Sequence, residues 1–218
     1  AGSRVHVLAR DANRTGLHAC FLRADRAHAE IRNIDVAPAR SHPGVVAVLT
    51  GADAVSAGYT QFPNMLTFTG RGGASILNAE RPVLAHRRVR FVGEPVALVV
   101  AATASAAQDA AEAIQVDYGE LAAAVGAESA LADHAVPLHD NIPGNLCFEW
   151  DTGDAAAVAT AFAAAAHVTH LQALTTRVAP SPMEPRACLV SHDAASDSYD
   201  IHTCSQGLVM LRRQFSIL

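Results

Sequence analysis

The sequence predicts a mixed α/β (α+β) fold, and three observations carry that prediction. Short runs rich in valine, leucine and isoleucine, such as VVAVL at 45–49 and VALVVA at 96–101, have strand length and strand composition. Alanine-rich stretches such as ASAAQDAAEAIQ at 104–115 place apolar residues at helical spacing. Prolines and glycines fall between these runs rather than inside them.

Taken in order, LHACFLR at 17–23 reads as a strand, and IRNIDV at 31–36 alternates as a second. Pro38 opens a short turn of helix that Pro43 and Gly44 end. VVAVLTG then reads as a buried strand closed by Gly51, and residues 52–80, with GRGG at 70–73, as a long loop holding one short helix. Val89–Val92 and Val96–Ala101 are expected to be two strands joined by Gly93, Glu94 and Pro95. There Gly93 permits positive φ and Pro95 sets the direction of the next strand. Thr103 is placed to cap the helix that follows, and VDYGEL at 116–121 returns as a strand.

Residues 133–153 hold two prolines, glycine and several turn formers, and read as a linker. Asp154 is a good N-cap for DAAAVATAFAAAA; HVTHLQALTTRV at 167–178 and ACLVSHD at 187–193 read as strands. DAASDSYD is a hairpin turn, and DIHTCSQ begins another strand. The expected organisation is therefore residues 1–132, a linker at 133–153, and a second unit at 154–218 too small to close a core alone.

Composition excludes several classes. Net charge is −5, and no basic stripe with interleaved aromatics is present, so a nucleic-acid partner is not expected. All 16 basic residues are arginine, and Arg87, Arg88 and Arg90 form the one dense cluster, which reads as a solvated strand edge. No apolar run reaches membrane-span length, and no secretory signal is visible. Four scattered cysteines without a C-x-x-C, each among apolar neighbours, read as small buried hydrophobes of a reduced, cytoplasmic protein.

Eleven histidines raise the question of a metal, but His167 and His170, or His134 and His139, lack the further ligands a zinc site needs. The G-x-S-x-G elbow of a hydrolase is missing. GRGG lacks the lysine of a P-loop and reads as a flexible loop. The segment PSPMEPRACLV at 180–190 is harder to set aside. Glu184 and Arg186 flank Pro185 beside an apolar run, and their spacing on an extended chain puts both on one face. They form either an ion pair pinning a strand entrance or a supporting pair beside a cofactor pocket.

Several segments, in order, carry a resemblance. LHACFLR at 17–23 with AHAEI at 27–31, HPGVVAVLTGAD at 42–53, RPVLAHRRVRFVGEPVALVVA at 81–101 and VDYGEL at 116–121 resemble the α/β hammerhead domain of the xanthine dehydrogenase and aldehyde oxidase family. PMEPR at 182–186 and TCSQ at 203–206 are similar to motifs at the start of that family's molybdenum-cofactor domain. The family often has proline where Glu120 and Ala123 stand here.

The resemblance implies an oxidoreductase that hydroxylates aldehydes, purines or N-heterocycles with oxygen from water, or oxidises carbon monoxide. Its cofactor is a pyranopterin-bound molybdenum, with electrons passing to iron–sulfur clusters and FAD on other subunits or domains. Gln206 becomes the cofactor-binding residue, its neutral amide donating to an oxo ligand. Glu184, Arg186, Gly93, Glu94 and Pro95 become supporting residues; none is a metal ligand and none is catalytic. The family's G-G-x-F-G loop and catalytic glutamate have no match in this sequence. The expectation is thus an N-terminal part or split subunit, inactive alone, joined to the remaining molybdenum-binding chain and to iron–sulfur and flavin subunits, with homodimerisation another way to cover apolar surface. The alternative is a non-catalytic hammerhead scaffold or assembly module.

Overall fold

The computed structural model describes residues 4–8, 16–59, 61, 62, 64, 67–176, 178, 179, 181, 183 and 186–217, with residues 4–8 described as backbone only. In chain order the strands are β1 (Arg4–Leu8), β2 (His18–Arg23), β3 (Ala29–Asp35), β4 (Val45–Thr50), β5 (Arg88–Val89), β6 (Pro95–Ala101), β7 (Gln115–Glu120), β8 (Cys188–Asp193) and β9 (Ser198–Thr203). The helices are α1 (Ala37–Arg40), α2 (Gly51–Ser56), α3 (Ala104–Glu112), α4 (Ala127–Ala130), α5 (Ala155–Ala164) and α6 (Leu208–Phe215), with 3-10 turns at Arg71–Gly73 and Pro143–Asn145. The strands form three sheets ordered β2-β6-β4, β5-β3-β7 and β1-β9-β8.

The first two sheets share one core. In β2-β6-β4 all pairing is antiparallel, and Cys20, Val99 and Val48 align across the three strands. These side chains meet Ala110, Ala111 and Ile114 of α3 and the segment that follows it, together with Ala39 of α1. The small alanines let α3 lie close to the sheet, and Val99, Ala97 and Ala110 are fully buried. In β5-β3-β7, Ala29, Ile31 and Ile34 face Val89, Val116 and Tyr118, forming a second cluster with Ala24, Ala85 and Val96. Helix ends are set locally. Thr50 caps α2 in a capping box with Asp53, whose carboxyl is held below its usual range first by the Thr50 hydroxyl. Thr103 caps α3 by accepting from Ala106 N–H at 3.2 Å.

Several expectations are corrected. Val89–Val92 is not a strand: β5 ends at Val89, and Phe91 and Val92 are exposed in the turn that follows. That turn exists because Gly93 takes φ +92° and donates to Ala24 O at 2.7 Å. VVAVLTG is only half-buried, since β4 is an edge strand with Val46 and Leu49 open to solvent. HVTHLQALTTRV forms no strand over its described residues; its Gln172 amide donates to Glu128 at 2.8 Å, but Leu171 and Leu174 are 88% and 89% exposed. The cysteines are not buried hydrophobes: Cys20 and Cys147 are half-buried, while Cys188 and Cys204 are exposed.

Residues 133–153 and the GRGG loop are not slack. They fasten each other to the first unit. Arg71 N–H donates to Glu149 O at 2.7 Å, Leu77 N–H to Cys147 O at 2.9 Å, and Phe68 meets Phe148 edge-on at 4.6 Å. A Cβ at Gly70 would stand 2.6 Å from Glu149 O, so only glycine allows this approach. Asn145 folds the segment on itself, accepting from Leu138 N–H and donating to Ala130 O and Val136 O, while Ile142 is fully buried.

The third sheet joins the two ends of the chain. β1 pairs in parallel with β9, from Arg4↔Ser198 to Leu8↔His202, and β8 pairs with β9 as an antiparallel hairpin. No helix of the described residues is long and apolar enough to cross a membrane.

Candidate cofactor-binding site

The β8–β9 hairpin positions this site. Its turn is closed by Asp193, which accepts from Ala195 N–H at 3.0 Å and the Ser196 hydroxyl at 2.6 Å, and these bonds hold its carboxyl below the usual range. Asp197 supplies the left-handed residue at φ +48°, a conformation aspartate tolerates. β9 then runs between β1 and β8 and leaves the sheet after Thr203. The Thr203 hydroxyl donates to Ala187 O at 2.9 Å and clips the two strands together at this end.

Cys204 to Gly207 follow as a short exposed connection, in which Ser205 Oγ accepts from Gly207 N–H at 3.0 Å. Gln206 sits in this bend, exposed, beyond the strand end rather than within it. Gly207 opens α6 with no side-chain cap and no acidic residue in the first turn. The site is therefore rich in hydrogen-bond donors: one neutral amide and the uncapped first-turn N–H groups of α6. That donor set fits an oxo-bearing, electron-rich group such as a molybdenum–pyranopterin. Partial shielding, and then nearby Cys204, push the pKa of the Cys188 thiol up against the Thr203 hydrogen bond.

The register Cys188↔Thr203 brings the residues before β8 to the same sheet end as those after β9. Arg186 therefore lies at the Gln206 end of the sheet; it is exposed and forms no ion pair among the described residues. Glu184 and Pro185 lie outside the described residues.

Gly93, Glu94 and Pro95 are elsewhere, in the turn between β5 and β6. Glu94 is buried, and its carboxylate accepts from Arg90 N–H at 2.6 Å; burial pushes its pKa up against the pull of that bond and of the Arg90 charge. Arg23 donates to Gly93 O at 2.9 Å, and Ala85 N–H to Pro95 O at 2.8 Å. Arg90 ties the turn outward to Glu80 at 3.0 Å and to Leu138 O at 2.9 Å. This is a structural clasp, and no hydrogen bond or ion pair among the described residues links it to Gln206. His167 and His170 are exposed, and among the described residues no three His, Cys, Asp or Glu side chains converge as a metal site.

Sequence reasoning missed β1 and α6. The run VHVL at 5–8 alternates weakly, and LVMLRRQF after a glycine carries helical spacing, but neither shows its role without its neighbour.

The chain is similar to known proteins over both of its parts. Residues 5–122 match the family described as aldehyde oxidase and xanthine dehydrogenase, a/b hammerhead domain, and residues 138–217 match the molybdopterin cofactor-binding domain. The chain belongs to the aldehyde oxidase and xanthine dehydrogenase family. It is 34% identical to the nicotine 6-hydroxylase large subunit of Paenarthrobacter nicotinovorans, over 87% of this chain and 22% of that protein. It is 31% identical to the carbon monoxide dehydrogenase large chain of Hydrogenophaga pseudoflava, over 93% and 25%. Among solved structures, Cu,Mo-CO dehydrogenase in its carbon monoxide reduced state matches with a TM-score of 0.79 at 28% identity, covering 99% of this chain and 27% of that one. Quinoline 2-oxidoreductase from Pseudomonas putida 86 matches at 0.71 and 36%, covering 87% and 23%. The chain spans about a quarter of the length of the curated relatives it matches.

Proposed function

We propose that these residues are the opening part of the molybdenum-binding large subunit of a hydroxylase, supplying the hammerhead domain and the first elements of the cofactor domain. The observation that carries this reading is the order of the two domain matches along one chain, with the donor-rich end of β9 falling inside the second. On this reading residues 1–132 are the hammerhead unit, 133–153 the connection and 154–218 the start of the cofactor domain, with β1 crossing to complete the last sheet.

When bound, molybdenum–pyranopterin supplies two-electron redox chemistry and oxygen transfer from water. The Gln206 amide would hold an oxo group by donating from its Nε2, a bond that orients without adding charge. Arg186, with Glu184, would brace the strand pair that presents Gln206. Gly93, Glu94 and Pro95 would keep the hammerhead turn closed far from the chemistry. The family's catalytic glutamate has no match in this sequence, so on this reading these residues would be inactive alone. Activity requires the rest of the molybdenum-binding polypeptide, together with iron–sulfur and flavin partners, in the cytoplasm. The substrate is an aldehyde, a purine, an N-heterocycle or carbon monoxide. Relatives whose names specify nicotine, quinoline and carbon monoxide support that range.

The test is molybdenum content by elemental mass spectrometry on material recovered from the native host through a tag on this chain. Near-stoichiometric molybdenum, with activity lost on Gln206→Ala, is the expected result. Absence of molybdenum and of any further polypeptide would leave a scaffold module instead.

A further inference from the structure

The two sheets of the hammerhead region treat their outer faces differently. Away from its core, β5-β3-β7 shows Glu30, Asn33, Asp35, Gln115 and Asp117, the polar face of a sheet that meets water. β2-β6-β4 has no such face. Cys20, Val99 and Val48 point toward α3, and the alternate residues form two rows across the sheet, Phe21–Leu98–Leu49 and Ala19–Val100–Ala47. Val46 adds a third apolar side chain on β4 where the pairing register shifts. Phe21, Leu49 and Val46 are 45%, 43% and 61% exposed, and neither core cluster includes them. Strands apolar on both faces belong to sheets covered on both sides; here α3 and α1 cover one face, the second core cluster covers Val96 at one end of the other, and Phe21, Leu49 and Val46 beyond it stay open.

The footprint of the two rows decides between occupants. Three strands about 4.8 Å apart, over about four residues each, make a patch of roughly 200 Å². A free-standing dimer needs about 800 Å² per partner, so a second copy held by this patch alone is too weakly attached. A layer tethered by other contacts is not so limited. In the CO dehydrogenase chain the same fold occupies 27% of the polypeptide, so such a layer has ample source within one subunit. We propose that this face is the docking surface for the remaining part of the molybdenum-binding large subunit, which lays an apolar segment on Phe21, Leu98 and Leu49. Arg23, whose guanidinium lies 5.5 Å from the Phe21 ring centre, marks the polar rim. This inference rests on the function proposed above.

The experiment compares the tagged chain alone with the complex recovered from the native host. In the wild type, hydroxyl-radical labelling of Phe21 and Leu49 should fall about tenfold in the complex, because the core of an interface excludes water from the side chains it covers. Phe21→Glu with Leu49→Arg should leave the circular dichroism of the chain unchanged and cut recovery of molybdenum-bearing polypeptide at least about tenfold. Asp117→Arg, on the polar sheet, should change neither. Unchanged labelling, or full recovery by the double variant, overturns the inference while leaving the proposed function standing. Concentration-dependent dimers of the isolated chain that the double variant dissolves, with the complex unaffected, assign the face to a second copy and overturn it too. Failure of the wild type to recover any molybdenum-bearing polypeptide defeats the proposed function first and this inference with it.

Discussion

Residues 17–122 and 151–217 are both organised around sheets, but they bury their apolar side chains to different extents. In the first, Ala29, Val89, Val96, Ala97 and Val99 are fully buried between sheet and helix or between the two sheets. In the second, Ile201 is the one described apolar residue in the core, and α5 buries none of its residues despite being almost wholly apolar. A capped helix with every face exposed is held by its local bonds, not by packing. The contrast teaches that the first unit draws its stability from contacts within itself. The second buries few of its described apolar side chains within itself.

The largest expected effect breaks the comparison at its centre. Val99→Asp places an unpaired carboxylate between β6 and α3 and should cost at least about 3 kcal/mol, measured by urea denaturation followed by circular dichroism. Ile201→Ala should cost less, about 2 kcal/mol at the lower end of the usual range for a buried Ile→Ala. An equal cost at both positions would show that the second unit has its own core. Limited proteolysis sharpens the point: cleavage should begin between residues 165 and 187, leaving 17–122 as the resistant fragment.

Gly70→Ala drives a methyl group against Glu149 O and should cost about 1–3 kcal/mol, seen most directly as faster amide exchange at Leu77 and Arg71. Thr50→Ala, which removes the α2 cap, should cost about 1 kcal/mol in the same melt. Glu94→Gln has the smallest effect at fixed pH and is read through pH instead. Burial raises the folded-state pKa of Glu94 above the ordinary 4.5. Its contribution to stability is therefore fully present below that value and is lost as pH rises through the raised one. The variant keeps an acceptor for Arg90 N–H, so its melting temperature should hold level over the interval in which the wild type declines. A wild type that gains stability with rising pH through that interval would contradict the assignment.

The hammerhead elements were legible because local signals agreed with their environment. Val96–Ala101 has strand chemistry throughout, Thr103 stands where a cap is needed, and Gly93 adopts the positive φ its turn requires. The sequence misled where a local pattern lacked a tertiary partner. HVTHLQALTTRV has strand composition but over its described residues pairs with no described strand, and there it is irregular. Residues 133–153 have the composition of a linker, yet the Arg71 and Leu77 N–H groups and the Asn145 side-chain amide fasten them down through hydrogen bonds that composition does not encode. At the candidate site Gln206 was legible only through resemblance, because nothing in CSQG alone distinguishes an exposed polar bend from a cofactor contact. That α6 begins directly after it, uncapped, came from the structure.

The parallel pairing of β1 with β9 sets a condition on biosynthesis. Val5 aligns with Tyr199, so the first strand leaves the ribosome long before its partner exists. At ordinary translation speeds that wait lasts roughly 10–40 s, while the whole hammerhead unit emerges and can fold in between. During that interval the N-terminal strand must remain extended and uncommitted beside a finished domain. It is a single-stranded edge open to any chaperone or neighbouring nascent chain until the last hairpin arrives to claim it.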